Sequence, residues 1–322
     1  MRAVWLRKFG GPEVLLAEET PDPVPGEGQV LVEVVASGIT YVETLVRSGS
    51  APMPLPPLPI IPGNGVAGTV VAAGPGADTA LIGRRVATTT GGSGGYAEKV
   101  AVSASTVIPI PDRLGFQDAV GLVNDGRTAL GIARAVAPKA GEWVLIGAAG
   151  GGVGSLLIQV AKQAGARVVA TASSEAKLDL AARRGADVAI DYSRSGWEER
   201  VREATGDAGV DVACDAIGGD IGRATFELVA RGGRFIAFGV GSGTMTEVSE
   251  EEAVARGVTL VPMGAAFPSA AAMQELSVQA LADGAAGRLR PAIGQTFPLE
   301  RVADAHAAIG ARTALGKTLL IT

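Results

Sequence analysis

Apolar positions follow two different rhythms along this chain. Up to about residue 120 they alternate or run in short β-branched stretches, as in QVLVEVVAS (29–37), GVAGTVVAAG (65–74) and GRRVATTT (83–90). That is the period-two signature of strands. Dense Gly/Pro punctuation separates them, in PDPVPGEG, APMPLPPLPIIPGNG and AAGPGAD. The pattern predicts short strands closing into an antiparallel, barrel-like domain. The apolar, proline-rich segment 51–62 reads as a stiff loop.

From about residue 125 the rhythm becomes strand, helix, strand, helix. EWVLIGA, ARVVATA and ADVAIDY read as strands, and VGSLLIQVAKQAG and SEAKLDLAARRG as helices apolar on one face. IGRATFELVARGG reads as a further helix before the strand RFIAFGVG. The alternation predicts a doubly wound parallel sheet covered by helices on both faces. PSAAAMQELSVQALADG predicts a late helix. The C-terminal stretch has strand–helix–strand character and is expected to rejoin the first domain. The expected division is 1–122 with 266–322 for the barrel-like domain and 123–265 for the α/β domain.

Composition narrows the chemistry. At 322 residues, 47% hydrophobic and 19% charged, the chain suits a two-domain globular protein. A net charge of −5 with no basic block argues against nucleic acid as the main partner. No 18-residue apolar run predicts a membrane span, and the N-terminus lacks a signal-like apolar region, so a cytoplasmic location is expected. Cys214 is the only cysteine and His306 the only histidine. Intrachain disulfides, multi-Cys zinc sites and multi-His sites are thereby excluded. Cys214 reads as inert in a buried strand, and His306 as a structural residue of the helix VADAHAAIG.

The strongest local signal is EWVLIGAAGGGVGSLLIQVA. A glycine-rich turn between a strand and a helix brings backbone close to a pyrophosphate at the helix N-terminus. Here the pattern runs Ala149-x-Gly151-x-x-Gly154, with Gly150, Gly152 and Val153 between. A turn without ligand is the competing reading. NAD-binding folds place an acidic residue near the end of the second strand for the ribose 2′-hydroxyl. Here that strand ends in Ala172, Ser173 and Ser174, and Glu175 comes late. With Lys177 and Tyr192 nearby, this set suits a 2′-phosphate, which requires donors and no negative neighbour. NADPH is the expected cofactor. A solvated helix lysine and a half-buried strand-end tyrosine are the alternatives for Lys177 and Tyr192.

With AAGGGVG, EAKLDLAARRGADVAIDY, VDVACDAIGG, RGGRFIAFG, GKTLLIT, GGPEVL and GGYAEKV together, nearly the whole chain resembles the medium-chain dehydrogenase/reductase superfamily. It is most similar to the zinc-independent quinone oxidoreductase and enoyl reductase branch. The resemblance implies a GroES-like β-barrel domain plus a Rossmann domain, NADPH in the cleft between them, and a homodimer. It also implies that Ile217, Phe238, Gly239 and Lys317 join the cofactor residues.

The departures from the family pattern bear on the chemistry. Zinc alcohol dehydrogenases carry G-I-C and G-H-E, where this chain has Gly38-Ile39-Thr40 and Gly63-Asn64-Gly65. No cysteine lies near Gly121–Asn124 either, so no catalytic zinc is expected. Quinone reductases usually show G-x-N-F-x-D; here Thr40, Tyr41 and Glu43 replace the Asn, Phe and Asp. Asp125 stands where a lysine is usual, while Gly126, Thr128 and Ala129 match. Related enoyl reductases can carry Tyr at the position of Tyr41, where it is proposed to donate a proton.

Reduction of a conjugated double bond without metal requires a hydride donor, stabilisation of the carbonyl oxygen and a proton for the α-carbon. Quinone reduction needs the same hydride and less help with the proton. Tyr41, Asn64 and Thr128 are the expected catalytic residues, with packing the alternative for Tyr41. Asp125 and Arg127 are expected to form a local ion pair. The expected substrate is a small apolar quinone or an α,β-unsaturated carbonyl compound, its pocket walled by 51–62 and 264–273. A biosynthetic enoyl reductase of narrow range and a non-catalytic NADPH-binding sensor or structural protein remain the alternatives.

Overall fold

The computed structural model describes residues Met1–Thr322. It divides into two compact units, one formed by Met1–Asn124 with Ser277–Thr322, the other by Asp125–Leu276. The second boundary falls inside the helix Ala270–Ala285.

In the first unit the strand Gln29–Ile39 is the hub. It pairs antiparallel with Lys99–Ser103, Gly65–Ala73 and Lys317–Ile321. Its eleven residues serve several neighbours, and register shifts after Leu31 and after Val34 let it bend. The sheet continues through Arg85–Thr89 to Ile108–Pro109 on one side and to Ile293–Pro298 on the other. Val30, Val32, Val34, Val66, Val70 and Val86 form the core of its curled face. A second core joins Val4, Leu6, Ile39, Tyr96, Leu320, Val302 and Ala305. There the small sheet Arg2–Leu6 with Leu15–Glu19 and the helix Val302–Gly310 meet the barrel end. The loop 51–62 is irregular. Ile60 and Ile61 pack against this second core, while Met53 and Leu55 are exposed.

The second unit holds a six-stranded sheet, parallel throughout. Its order is Val188–Asp191, Arg167–Ala172, Trp143–Ile146, Val210–Asp215, Val229–Ala237 and Thr259–Leu260. Counted along the chain this is 3-2-1-4-5-6, the Rossmann order, which reverses beside the first strand. The inner strands are buried almost without interruption, as strands covered on both faces must be. One element differs from the sequence expectation. The helix after the fourth strand ends at Glu227, and VARGG belongs to the strand Val229–Ala237. The pairing of Val229 with Val210 draws that segment into the sheet, overriding the local glycines.

Candidate active site

The glycine turn is built by close backbone packing. The helix Gly152–Gln163 begins at Gly151, whose backbone is extended and which has no side chain to cap the first turn. The amide N–H groups of Gly152, Val153 and Gly154 therefore open the helix as free donors, with the positive end of its dipole behind them. The turn is tied to its neighbours: Ala149 N–H donates to Thr171 O at 3.0 Å, and Gly147 N–H to Cys214 O at 2.9 Å. A Cβ on Gly154 would lie 2.5 Å from Ala148 O, so only glycine lets the helix sit this close to the strand end. Gly151 meets nothing nearer than Ala148 O at 3.3 Å, which leaves its outer side open to a ligand.

The structure brings Ser173, Ser174, Lys177 and Tyr192 together beside this turn. Ser173 and Ser174 follow the strand Arg167–Ala172. Ser174 precedes the helix Glu175–Arg183, and its hydroxyl makes no capping bond. Tyr192 N–H donates to Ala172 O at 3.1 Å, which sets the tyrosine next to Ser173. A Cβ on Gly150 would stand 2.4 Å from Lys177 Cβ, so the lysine stem lies directly on the turn. Glu175 is exposed.

Ile217, Phe238 and Gly239 follow the next two strand ends. Asp215, which the sequence reading passed over, organises them. It is fully buried, and its carboxylate accepts from Ile217 N–H at 2.8 Å, from Gly218 N–H and from the Thr246 hydroxyl. Phe238 N–H donates to Asp215 O at 2.8 Å. Burial pushes the Asp215 carboxyl up. The signal was present in the sequence: an Asp closing a buried strand just before A-I-G-G. Neighbouring Cys214 is buried, and burial pushes its thiol up to about 12, which leaves it unreactive.

In the first unit, Thr40 is the N-cap of the helix Tyr41–Ser48, and Glu43 closes a reciprocal capping box with it. Tyr41 opens that helix, half-buried, and its hydroxyl has no partner within the chain. Asn64 is half-buried, and its Oδ1 accepts from Gly92 N–H at 3.1 Å. That bond turns the amide so that its NH2 remains available as a donor. Thr128 belongs to the second unit, half-buried in the helix Asp125–Val136.

Lys317 has a setting the cofactor expectation did not include. It is buried, 4% exposed, and its Cε lies 2.9 Å from where a Cβ of Gly38 would stand. Its charge acts on Glu43. Glu43 is buried too, and its Oε2 accepts from Thr40 N–H at 2.5 Å and from the Tyr96 hydroxyl at 3.1 Å. The Tyr96 hydroxyl is also 3.2 Å from His306 Nε2. His306 is a buried structural residue, as its helix context suggested, and burial lowers its pKa to about 3.

A barrel-like unit combined with a Rossmann sheet defines the class of two-domain dehydrogenases and reductases, and comparison with known proteins agrees. Residues 26–112 match the alcohol dehydrogenase GroES-like domain and residues 152–283 the zinc-binding dehydrogenase domain. The chain is 34% identical to the quinone oxidoreductase of Sus scrofa over 324 residues, covering 100% of this chain and 98% of that one. It is 32% identical to a 2-haloacrylate reductase of Burkholderia sp, covering 99% and 98%. The Escherichia coli quinone oxidoreductase, solved in complex with NADPH, superposes with a TM-score of 0.92 at 29% identity and full coverage of both chains. The chain belongs to the medium-chain dehydrogenase/reductase superfamily, in its quinone oxidoreductase branch.

Zinc, which the name of the second domain family implies, does not fit the residues present. No group of three or more His, Cys, Asp or Glu stands where it could hold a metal ion. Thr40 is committed to helix capping, and Asn64 to Gly92.

Proposed function

We propose that this protein is an NADPH-dependent, zinc-independent oxidoreductase that reduces small apolar quinones or the conjugated double bond of α,β-unsaturated carbonyl compounds. The observation that carries the reading is the glycine turn with its phosphate corner. Gly150, Gly151 and Gly154 bring bare backbone to a helix N-terminus, and Ser173, Ser174, Lys177 and Tyr192 gather beside it, with no acidic residue closing the second strand, Arg167–Ala172. This donor set suits NADPH. A relative solved with NADPH at a TM-score of 0.92, and one named for reduction of a haloacrylate, an unsaturated acid derivative, support the same reading.

NADPH supplies the hydride when bound. The chain's own residues supply the rest. Gly152, Val153 and Gly154 receive the pyrophosphate on their amides, and Lys177 and the two serines receive the 2′-phosphate. Ile217, Phe238 and Gly239, with Thr128, would hold the nicotinamide half. Asn64 donates its amide to the substrate carbonyl, which gains negative charge as hydride arrives. Tyr41 donates its free hydroxyl to the same oxygen.

The test is NADPH oxidation by the purified protein against a panel of quinones and enones. Turnover of members of either class well above background is expected. Tight NADPH binding without turnover of any of them would sink the proposal.

A further inference from the structure

The barrel unit contains a buried ionisable cluster that the reading above leaves without a task. Glu43, Tyr96, His306 and Lys317 are 8%, 0%, 1% and 4% exposed. Glu43 Oε2 is the hub. Thr40 N–H donates to it at 2.5 Å, the Thr40 hydroxyl at 3.1 Å and the Tyr96 hydroxyl at 3.1 Å. Glu43 Oε1 is buried with no hydrogen-bond partner, and so is His306 Nδ1. A buried N–H without an acceptor is rarer than a lone acceptor. The favoured His306 tautomer therefore carries its proton on Nε2, donating to Tyr96, which donates onward to Glu43. Three donors converge on one carboxyl oxygen, and one of them is the hydroxyl of half-buried Thr40.

We propose that Glu43, acting through Thr40 Oγ1, delivers the proton that an unsaturated carbonyl substrate takes up at its α-carbon. The inference rests on the conjugated-carbonyl reading above and gives the missing source for its second hydrogen. With Glu43 ionised, the Thr40 hydroxyl is turned inward as a donor to Oε2. With Glu43 protonated, the carboxyl O–H donates to Thr40 Oγ1 and releases that hydroxyl's own hydrogen to point outward. In the transfer the Glu43 O–H bond breaks as a new O–H bond forms at Thr40. The original Thr40 O–H bond breaks as a C–H bond forms at the α-carbon. The electron pair comes from the enolate left by hydride addition, so no further oxidant or reductant is needed. Glu43 is left as a carboxylate, held by Thr40 N–H, the Tyr96 hydroxyl and the charge of Lys317, and regains a proton from solvent before the next turnover.

The surroundings suit this task. Burial raises the Glu43 pKa, opposed by the Thr40 backbone bond and the Lys317 charge. Tyr96 is raised well above the usual phenol range by burial and by Glu43. His306 is lowered to about 3 by burial and by the Arg47 charge, so it stays neutral as a fixed donor. Burial opposes ionisation of Glu43 and so favours the protonated carboxyl that the relay needs.

Glu43→Gln is the informative variant. Gln keeps a side-chain oxygen for Thr40 N–H and is itself a capping-box residue, but it has no acid proton. The measurement is kcat for an enone and for a quinone across about pH 5 to 9. The expected result is a fall of at least about ten-fold in the enone-to-quinone ratio of kcat. Wild-type enone turnover is expected to decline as pH rises through the Glu43 pKa, and the variant's profile to lose that limb. Thr40→Ser and Thr40→Val give an independent test that leaves the carboxyl in place, with serine keeping enone turnover and valine losing it. Enone turnover in Glu43→Gln with a wild-type rate and pH profile would overturn the relay alone. So would an equal loss on both substrates, or a Thr40→Val protein as fast as Thr40→Ser. A wild type that reduces quinones and no enone would overturn both the relay and the conjugated-carbonyl reading.

Discussion

Lys177 lies against Gly150 so closely that a Cβ on the glycine would stand 2.4 Å from the lysine Cβ. The contact couples the pyrophosphate turn to the cation expected at the 2′-phosphate. Lys177→Ala should weaken NADPH binding by about ten- to a hundred-fold, the scale of a lost charge-assisted hydrogen bond. NADH binding should change by less than about three-fold, since the lost bond is to a phosphate NADH lacks. Fluorescence titration with both nucleotides checks this, and equal losses would remove the phosphate role. Gly150→Ala should weaken both nucleotides, because the new methyl would meet the Lys177 stem and backbone and force the pyrophosphate turn itself to shift.

Asn64 and Tyr41 are proposed to act on the substrate, so their loss should spare the cofactor. Asn64→Ala is expected to lower kcat by about ten-fold or more, with NADPH affinity retained. Removing the bond from Gly92 should also cost about 1 kcal/mol of stability. Tyr41→Phe should lower enone turnover by about ten-fold, again with NADPH affinity retained. Unchanged turnover in Tyr41→Phe would make the ring a packing element.

How much of this was legible in the sequence follows from how local each signal is. The glycine turn, the serine pair and the strand–helix alternation lie within short windows, and their chemistry is carried by residue type. The Glu43 cluster was not legible. Its members come from residues 40, 43, 96, 306 and 317, joined only when the barrel end closes over Tyr96. Thr40 and Glu43 do show the T-x-x-E spacing of a capping box. Comparison with lost zinc ligands drew the reading of Thr40 toward the metal and away from the helix it starts. Asp215 was passed over for a related reason. A strand-end Asp reads as a turn residue until the structure shows three donors converging on it.

The donor set also predicts indifference to chelators. Thr40 and Asn64 offer neutral oxygen and amide groups already engaged within the chain, Glu43 is the one acidic group beside Thr40, and no group of three or more His, Cys, Asp or Glu stands where it could hold a metal. Prolonged dialysis against EDTA should leave quinone and enone turnover unchanged, and elemental analysis should find well under one zinc per chain. Loss of activity on chelation, restored by zinc, would refute the metal-free mechanism.

His306 gives the fold a specific acid sensitivity. Its pKa is lowered from 6.5 to about 3, chiefly by burial and then by the Arg47 charge. As pH falls below about 6.5 the unfolded chain takes up a proton at this residue and the folded chain does not. The unfolded state is therefore favoured progressively until the folded pKa is reached, with a loss of up to about 4 kcal/mol across that window. Glu43 acts in the opposite sense. Its folded pKa is raised, so the penalty for keeping it ionised is relieved as pH falls through that pKa. The two effects partly cancel in the wild type, and substitution separates them. His306→Leu should lower Tm at about pH 7, where the neutral imidazole packs against Tyr96 and bonds its hydroxyl. Between about pH 6.5 and pH 4 the variant should lose less Tm than the wild type, so the gap between the two narrows. Thermal melts of both proteins across that range read the difference directly. A constant gap would mean that His306 is protonated in the folded protein as readily as in the unfolded chain.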